Sequence, residues 1–458
     1  MNNSASSPPV APDPPGETSR LLIPLPLRIV VLILLALASS SAYLTRHCLA
    51  VASTTIQAEL QLNSEQIGYV FSLLSVGYMI FQIPGGAIGL RIGTRNALPL
   101  FSLLWSAITF WTSFVFSLFP LLLSRLAFGM AQAGLVPNTA QVIKDWFPSH
   151  RHGAVSAMIG MAMSLGGMAS FWITGELMEV MHWRAVFRVY SLVGVVWAIL
   201  FWMVFRTRPA QHPRVCRAGE DGPRPADETA AATPPPPRWW RLLAHSAIFW
   251  MCLQAPFRAA GYNLFVTYFP EFLERGHGLS VKSAAFFSAL PLGGVILGGL
   301  IGGTLVDLLQ RITGNRTLSR SGLACTALVL TTLLTVAAAY ASHHLVLVAL
   351  VTLASTFSGM ASPAVWVGLI DLGGKSAAVV SGAANMIGCL AGVVITPVVG
   401  ILVDVIKAGE VGWDVLILLH AGFYGCAALA FSRVRIGDRP VTEPDPPTLP
   451  DSAQENAP

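Results

Sequence analysis

Charge is scarce in this sequence. Lys, Arg, Asp and Glu together make up 11% of its 458 residues, against about 25% in a soluble domain, so there is too little polar surface to wet a water-soluble globule of this length. The scarcity is sharpest for acidic groups deep in apolar sequence: Glu176, Asp307, Asp371 and Asp404 all fall near the ends of apolar runs. With no buried carboxylate pair, His cluster or nucleophile-and-base pair, the parts of a catalytic or metal centre are missing. No enzyme activity, cofactor or metal is expected. The six cysteines, Cys48, Cys216, Cys252, Cys325, Cys389 and Cys426, include no CxxC pair and lie mostly in apolar runs, where they read as small packing residues. The net charge of +5 is spread over short segments and forms no continuous patch, which argues against a nucleic-acid partner.

Apolar sequence is abundant, in lengths that match a bilayer. Hydrophobic residues make up 54% of the chain and come in runs of about 20, the length of helix that crosses a hydrocarbon core. Runs bounded by charge or by Pro and Gly predict helices near 27–54, 66–90, 96–116, 119–143, 152–178 and 184–205. Six more follow near 243–272, 281–309, 319–341, 344–369, 376–403 and 411–432. The first run is too long for a signal-peptide core and is expected to remain as a membrane helix. The prediction is an all-α membrane protein with 12 transmembrane helices in two six-helix halves, an N-terminal bundle over 21–205 and a C-terminal bundle over 243–435. Residues 1–20 and 436–458 read as disordered tails. The segment 206–242, with Pro234 to Pro237 and seven arginines but no apolar period, reads as a disordered loop joining the halves.

Of the 28 Lys and Arg residues, 20 fall in one alternating set of segments and five, Arg184, Arg188, Arg275, Lys282 and Lys407, in the opposite set. Positive charge is retained on the cytoplasmic side, so both tails and the central loop are expected to be cytoplasmic. No N-x-S/T sequon lies in a loop on the other face, which points to a bacterial inner membrane. A similar segment recurs after the second helix of each half: Gly85-Gly86 with Arg91, Gly93 and Arg95, then Gly302-Gly303 with Asp307 and Arg311. Glycines let helices approach closely while basic groups grip helix ends and lipid headgroups. Gly86, Arg91, Arg95, Asp307 and Arg311 are therefore expected to form a gating latch that closes in one state of a rocking protein.

The three remaining cations stand where charge is most costly. Arg46 lies about 19 residues into the first helix, roughly 28 Å from its start, too deep to reach the cytoplasm. Arg125 is about six residues, roughly 9 Å, from the outer end of the fourth. Arg258 is halfway along the seventh, where Pro256 and Gly261 are expected to interrupt the helix and free backbone groups that are tolerated only beside a cavity. Tyr43, Tyr262 and Gln132 stand one or two turns from these cations and share their faces. Tyr78, Trp366, Ser381 and Asn385, near mid-membrane in other helices, complete a candidate substrate-binding set. His47 follows Arg46 but points to another helix face. A guanidinium is a planar fork that holds carboxylate or phosphate through two parallel hydrogen bonds, so three such groups without acidic partners specify an anion. The resulting expectation is a transporter of a small organic anion, monomeric in the lipid bilayer. An exporter of amphipathic compounds, suggested by the Met- and Phe-rich helices, and a membrane sensor that binds an anion without moving it are the alternatives.

Several segments resemble the major facilitator superfamily, and within it the anion:cation symporters that include bacterial sugar-acid transporters and vesicular glutamate transporters. They are Tyr43-Leu44-Thr45-Arg46, Gly77-Tyr78 with Gln82-Ile83-Pro84-Gly85-Gly86, the segment Arg125 to Gly134 with Pro137, His182-Trp183-Arg184 with Phe187, the Gly302 to Asp307 turn, and Ser381 to Asn385 with Pro397. The resemblance covers about residues 27–432 and implies the major facilitator fold and rocker-switch alternating access. By that similarity Arg46 and Arg125 match the family's substrate-binding arginines, and Tyr43, Tyr78, Trp366 and Asn385 resemble its sugar-acid contacts. Arg258 is similar to the helix-seven arginine of the vesicular glutamate transporters. Bacterial sugar-acid members generally lack a cation there, which implies a dicarboxylate or a phosphorylated or more highly charged anion. The departures bear on coupling. Proton-coupled members carry an acid just before the first-helix arginine and a glutamate seven residues after the fourth-helix arginine; this chain has Thr45 and Gln132, neither of which holds a transferable proton. Leu90 stands in place of the first-half latch aspartate. Uniport, exchange or coupling to another ion is the expectation.

Overall fold

The computed structural model describes residues 25–148, 151–206, 245–373 and 377–437. The expected tails and central loop lie outside them, apart from Arg206, Ile436 and Gly437. The described residues form thirteen α-helices: α1 (Leu25–Leu60), α2 (Ser64–Ile92), α3 (Thr94–Thr112), α4 (Leu118–Ala133), α5 (Leu135–Trp146), α6 (His152–Val180) and α7 (Trp183–Val204), then α8 (Ser246–Glu271), α9 (Val281–Thr313), α10 (Leu323–Ala339), α11 (His344–Gly373), α12 (Ala377–Lys407) and α13 (Asp414–Ser432). Helix ends fall at residues that satisfy free backbone groups. Asn63 and Gln66 exchange side-chain and backbone hydrogen bonds at the start of α2. Ser280 accepts from Ser283 N at 3.2 Å to open α9, and Gly314, at φ 65°, closes it.

The fourth predicted helix is one crossing, Leu118–Trp146, divided at Gly134. Pro137 has no N–H to offer the Ala133 carbonyl, and next to it Asn138 Nδ2 donates to the Gly134 carbonyl at 2.7 Å and to the Gly85 carbonyl of α2 at 3.1 Å. Ten segments are long and apolar enough to cross a bilayer; α3 and α8 complete the twelve. α8 is less apolar because Gln254, Arg258 and Asn263 run along its middle, and α3 is tied into the first half by Ser102 Oγ donating to the Gly194 carbonyl of α7 at 2.9 Å. Large apolar side chains such as Ile33, Leu200, Leu297 and Val394 are exposed, as suits a lipid-facing belt.

Small residues set the helix spacing in both halves. α2 and α4 cross with Gly77 against the Leu126 carbonyl and Gly129 against the Leu74 carbonyl. The equivalent pair in the second half, α9 and α11, crosses with Gly294, Gly298 and Gly302 against the backbone at Thr352, Thr356 and Met360. The contrast between neighbours is testable. A methyl at Gly298 meets the Thr356 carbonyl, whereas one at Gly299 meets nothing within 4 Å. Gly298→Ala is expected to cost about 1–3 kcal/mol by overpacking and Gly299→Ala to leave stability unchanged or slightly raised, read as thermal unfolding in detergent. Equal melting temperatures would refute this packing.

The halves, α1–α7 and α8–α13, meet along α2 with α12, α6 with α9 and α1 with α8. One end of this seam is sealed. There Lys407 Nζ lies 2.7 Å from Glu271 Oε1 and donates to Gln57 Oε1 at 3.2 Å, and Gln57 Nε2 donates to Glu271 Oε2 at 3.4 Å. Asp404 accepts from Ser64 N at 2.9 Å and Glu65 N at 2.8 Å, so a carboxylate of one half caps the positive N-terminus of a helix in the other. Lys282 bridges Glu176 and Glu179 across α9 and α6, at 3.0 Å each. At the opposite end the seam parts around Ile83, Trp366 and Asn385, all exposed.

Candidate functional site

Between the halves lies a cavity of about 450 Å³, large enough for a small metabolite. It opens toward the end away from the Lys407–Glu271 pair. The first half contributes α1, α2 and α6; the second contributes α8, α9, α11, α12 and α13.

Arg46 enters from α1. Its guanidinium carbon lies 5.5 Å from the Tyr43 ring centroid and 4.9 Å from that of Tyr78, so two aromatic rings hold the fork and leave its edge to the cavity. Arg258 enters from α8 in the other half, with Nη1 donating to Ser362 Oγ at 3.0 Å and Nε buried without a hydrogen-bond partner. Among the described residues neither guanidinium forms an ion pair. Both cations therefore have unused hydrogen-bonding capacity on the cavity wall.

Tyr43, Tyr78, Tyr262, Trp366, Ser381 and Asn385 line the same cavity. Asn385 Nδ2 also donates across the seam to Gln82 Oε1 at 3.4 Å. Pro256 and Gly261 do not interrupt the helix, which runs unbroken through Ser246–Glu271. Gly261 is small for a packing reason: a Cβ there would lie 2.8 Å from the Tyr424 ring, and that contact brings Tyr424 of α13 to the cavity wall beside Arg258.

Arg125 and Gln132 do not line the cavity. Arg125 is fully buried inside the first half, its Nη2 donating to Thr112 Oγ1 and its guanidinium 4.8 Å from the Phe128 ring centroid and 5.9 Å from that of Phe187. Its Nε and Nη1 have no hydrogen-bond partner. Gln132 Nε2 donates to the Ala42 carbonyl at 2.7 Å, tying α4 to α1 next to Tyr43. The two residues share one face of α4, and that face turns to α1, α3 and α7 within the half.

The expected latch residues lie on α2, α3 and α9. Gly86 packs near Pro137, Arg95 donates to the Trp202 carbonyl at 3.0 and 3.2 Å within its own half, and Arg91, Asp307 and Arg311 are exposed. Among the cavity residues that escaped sequence reasoning are His47, Ser362 and Tyr424. Ser362 carried a readable signal, since it lies four residues before Trp366 on the same helical face. His47 did not, because the step of about 100° per residue turns it away from Arg46, yet the cavity wraps far enough around α1 to reach both side chains.

Residues 35–397 match the family model of the Major Facilitator Superfamily. The chain is 28% identical over 407 residues to a probable sulfoacetate transporter of Cupriavidus necator, covering 88% of this chain and 93% of that one. It is 26% identical over 376 residues to a D-galactonate transporter of Escherichia coli, covering 79% and 85%. Among solved structures, a bacterial homologue of the human lysosomal transporter Spinster in an inward-facing conformation shares the fold, with a TM-score of 0.71 and 19% identity over 90% of this chain and 99% of that one. With twelve crossings in two like halves around a central cavity, and a family match that spans both, the chain belongs to the Major Facilitator Superfamily.

Proposed function

We propose that this protein carries a small organic anion across a membrane by alternating access, and that Arg46 and Arg258 hold the anion from opposite halves. The observation that carries this reading is a pair of guanidinium groups in one cavity with no acidic partner among the described residues. Cations so placed are costly unless the missing counter-ion is the cargo. An anion with two charged ends satisfies both forks and joins the halves, which makes a dicarboxylate, sulfocarboxylate or phosphorylated metabolite the preferred class. The relatives named for sulfoacetate and D-galactonate support an anion; sulfoacetate itself carries a sulfonate and a carboxylate. Tyr43, Tyr78, Tyr262, Trp366 and Asn385 are proposed to supply the polar and aromatic contacts that orient it.

Arg125 and Gln132 are proposed to serve this site from behind its wall in this conformation, Gln132 by fixing the turn of α1 that carries Tyr43. The excess of basic residues in one set of loops supports a cytoplasmic placement of the open end, so that the state described is inward-open. In that state the halves are parted at Gly86, Arg91, Arg95, Asp307 and Arg311, and the proposed latch closes when the inner ends come together. An exporter of amphipathic compounds fits less well, because two unpaired guanidinium groups in the cavity repel its cationic cargoes and give its neutral ones no charged partner.

A thermal-shift panel tests the substrate class. Any anion that binds the folded protein stabilises it by about 2.7 kcal/mol at 100 times its Kd, so two-charge anions are expected to raise the melting temperature by several degrees and their neutral esters to leave it unchanged. A panel in which only amphipathic cations shift the transition sinks the reading.

A further inference from the structure

The two arginines of the cavity have different surroundings. At Arg46 the Tyr43 and Tyr78 rings, with centroids 5.5 and 4.9 Å from the guanidinium carbon, lie over the fork. A partner therefore reaches Arg46 along the edge of the guanidinium, where the two oxygens of a planar carboxylate match two N–H groups. Arg258 is set among hydroxyls instead. Ser362 of α11 accepts from its Nη1 at 3.0 Å. Ser358 lies one turn earlier on the same face of α11 and meets the hydroxyl of Tyr424 from α13, within electrostatic reach of the Arg258 guanidinium. All three hydroxyl residues line the cavity. Tyr424 is buried, with its ring seated against Gly261 of α8, where a Cβ would lie 2.8 Å away, and this seat holds its hydroxyl at the wall. Arg258 Nε is buried and has no hydrogen-bond partner, so the fork itself still has a donor to give.

We propose that the Arg258 end of the cavity is a subsite for a three-oxygen anionic head, a sulfonate, phosphonate or phosphate, selected by Tyr424 with Ser358 and Ser362, while Arg46 takes a carboxylate. The inference rests on the anion site proposed above and adds which head goes to which arginine. A carboxylate on a guanidinium fork has both oxygens engaged in the plane of the fork. A sulfonate or phosphonate has three terminal oxygens in a pyramid, so two match the fork and the third stands out of its plane. At Arg258 that third oxygen finds hydroxyl donors that come from other helices, α11 and α13, and so approach from outside the plane. At Arg46 aromatic rings occupy those directions and offer no such donor. The cargo class is then a short carboxylate carrying a tetrahedral anionic group at its other end, bound in one direction across the two halves.

The test compares malonate, sulfoacetate and phosphonoacetate, each a carboxylate joined through one methylene to a second anionic head. Their Kd values are measured on the purified protein near pH 8, where malonate and sulfoacetate carry the same charge. Sulfoacetate is expected to bind at least about tenfold more tightly than malonate, the gain from one further hydrogen bond to a charged group; the phosphonoacetate arm tells whether a phosphorus head is taken as well. Tyr424→Phe removes one oxygen and keeps the ring against Gly261, and in it the preference is expected to shrink to about threefold or less. Ser362→Ala is expected to shrink it too, and decides the matter should Tyr424→Phe fail to fold. Lysine variants keep the charge and lose the fork, so the preference is expected to fall in Arg258→Lys and to persist in Arg46→Lys. Malonate binding as tightly as the other two probes overturns the inference and leaves the anion site standing. So does a preference unchanged in both hydroxyl variants, or the reverse pattern in the lysine variants. A gain for phosphonoacetate alone that survives Tyr424→Phe reports its higher charge and also overturns the inference. No binding of any of the three probes counts against both proposals together.

Discussion

Arg258→Ala and Arg46→Ala proteoliposomes are expected to take up no anion above a protein-free background. Each substitution removes one of the two guanidinium forks in the cavity. Losing one partner of a desolvated charge pair costs about 2–4 kcal/mol, or roughly 30- to 700-fold in affinity. Arg→Lys at either position should fall in between, because an ammonium keeps the charge but lacks the planar fork. A second readout separates function from folding. The empty protein holds both cations without acidic partners among the described residues, so Arg258→Ala is expected to melt no lower than the unaltered protein when the cavity is empty, while losing the stabilisation that anions confer. Uptake at normal rates by both alanine variants would end the proposal. A variant that melts early in the absence of ligand would instead mark Arg258 as a structural residue tied to Ser362.

Breaking the sealed end is expected to open it. Glu271 is 1% exposed and is held by Lys407 at 2.7 Å and Arg275 at 3.1 Å. Gln57 of the opposite half donates to it as well, so the ion pair also fastens the seam. Lys407→Met leaves a buried carboxylate short of its closer cation, a loss of about 3–5 kcal/mol for such pairs. Arg275 offsets part of this. Even half of the remainder moves a two-state equilibrium by about tenfold or more. Spin labels at Ala58 and Glu410, both exposed at this end, are expected to report a longer separation in Lys407→Met, and the exchanged pair Glu271→Lys with Lys407→Glu to return it toward the original. A distance distribution unchanged by Lys407→Met would mean that apolar packing alone, such as Gly68 and Gly400 against the facing backbone, seals the end.

Ten of the crossings were readable because the bilayer imposes a length and a hydropathy that each of these segments meets on its own. Where the reading slipped, a neighbour was responsible. α1 runs on to Leu60, beyond the expected end near 54, because Gln57 in its last turns is buried by its bonds to Glu271 and Lys407 from the other half. Pro137 was visible, but not that Gly134, where the helix divides, packs directly against Gly85 of α2. The α8 glycine read as an interruption is instead the space that Tyr424 fills.

The site divides in the same way. Helical periodicity correctly put Tyr43 with Arg46 and Tyr262 with Arg258, since one-turn spacing depends only on the helix itself. It also grouped Arg125 with Gln132, and they do share a face. What it does not contain is which partner that face meets, and here α1, α3 and α7 cover it.

Composition and spacing along the chain thus determined a membrane-embedded, two-half helical protein with cations deep in its helices, because hydropathy and helix period are local properties. The tertiary structure decided that Arg46 and Arg258 share one cavity, that Arg125 is packed away from it, that His47 is not, and that one end is closed. Each of these depends on residues far apart in sequence, as Asp404 is from Ser64, meeting across helix faces whose orientation no single helix specifies.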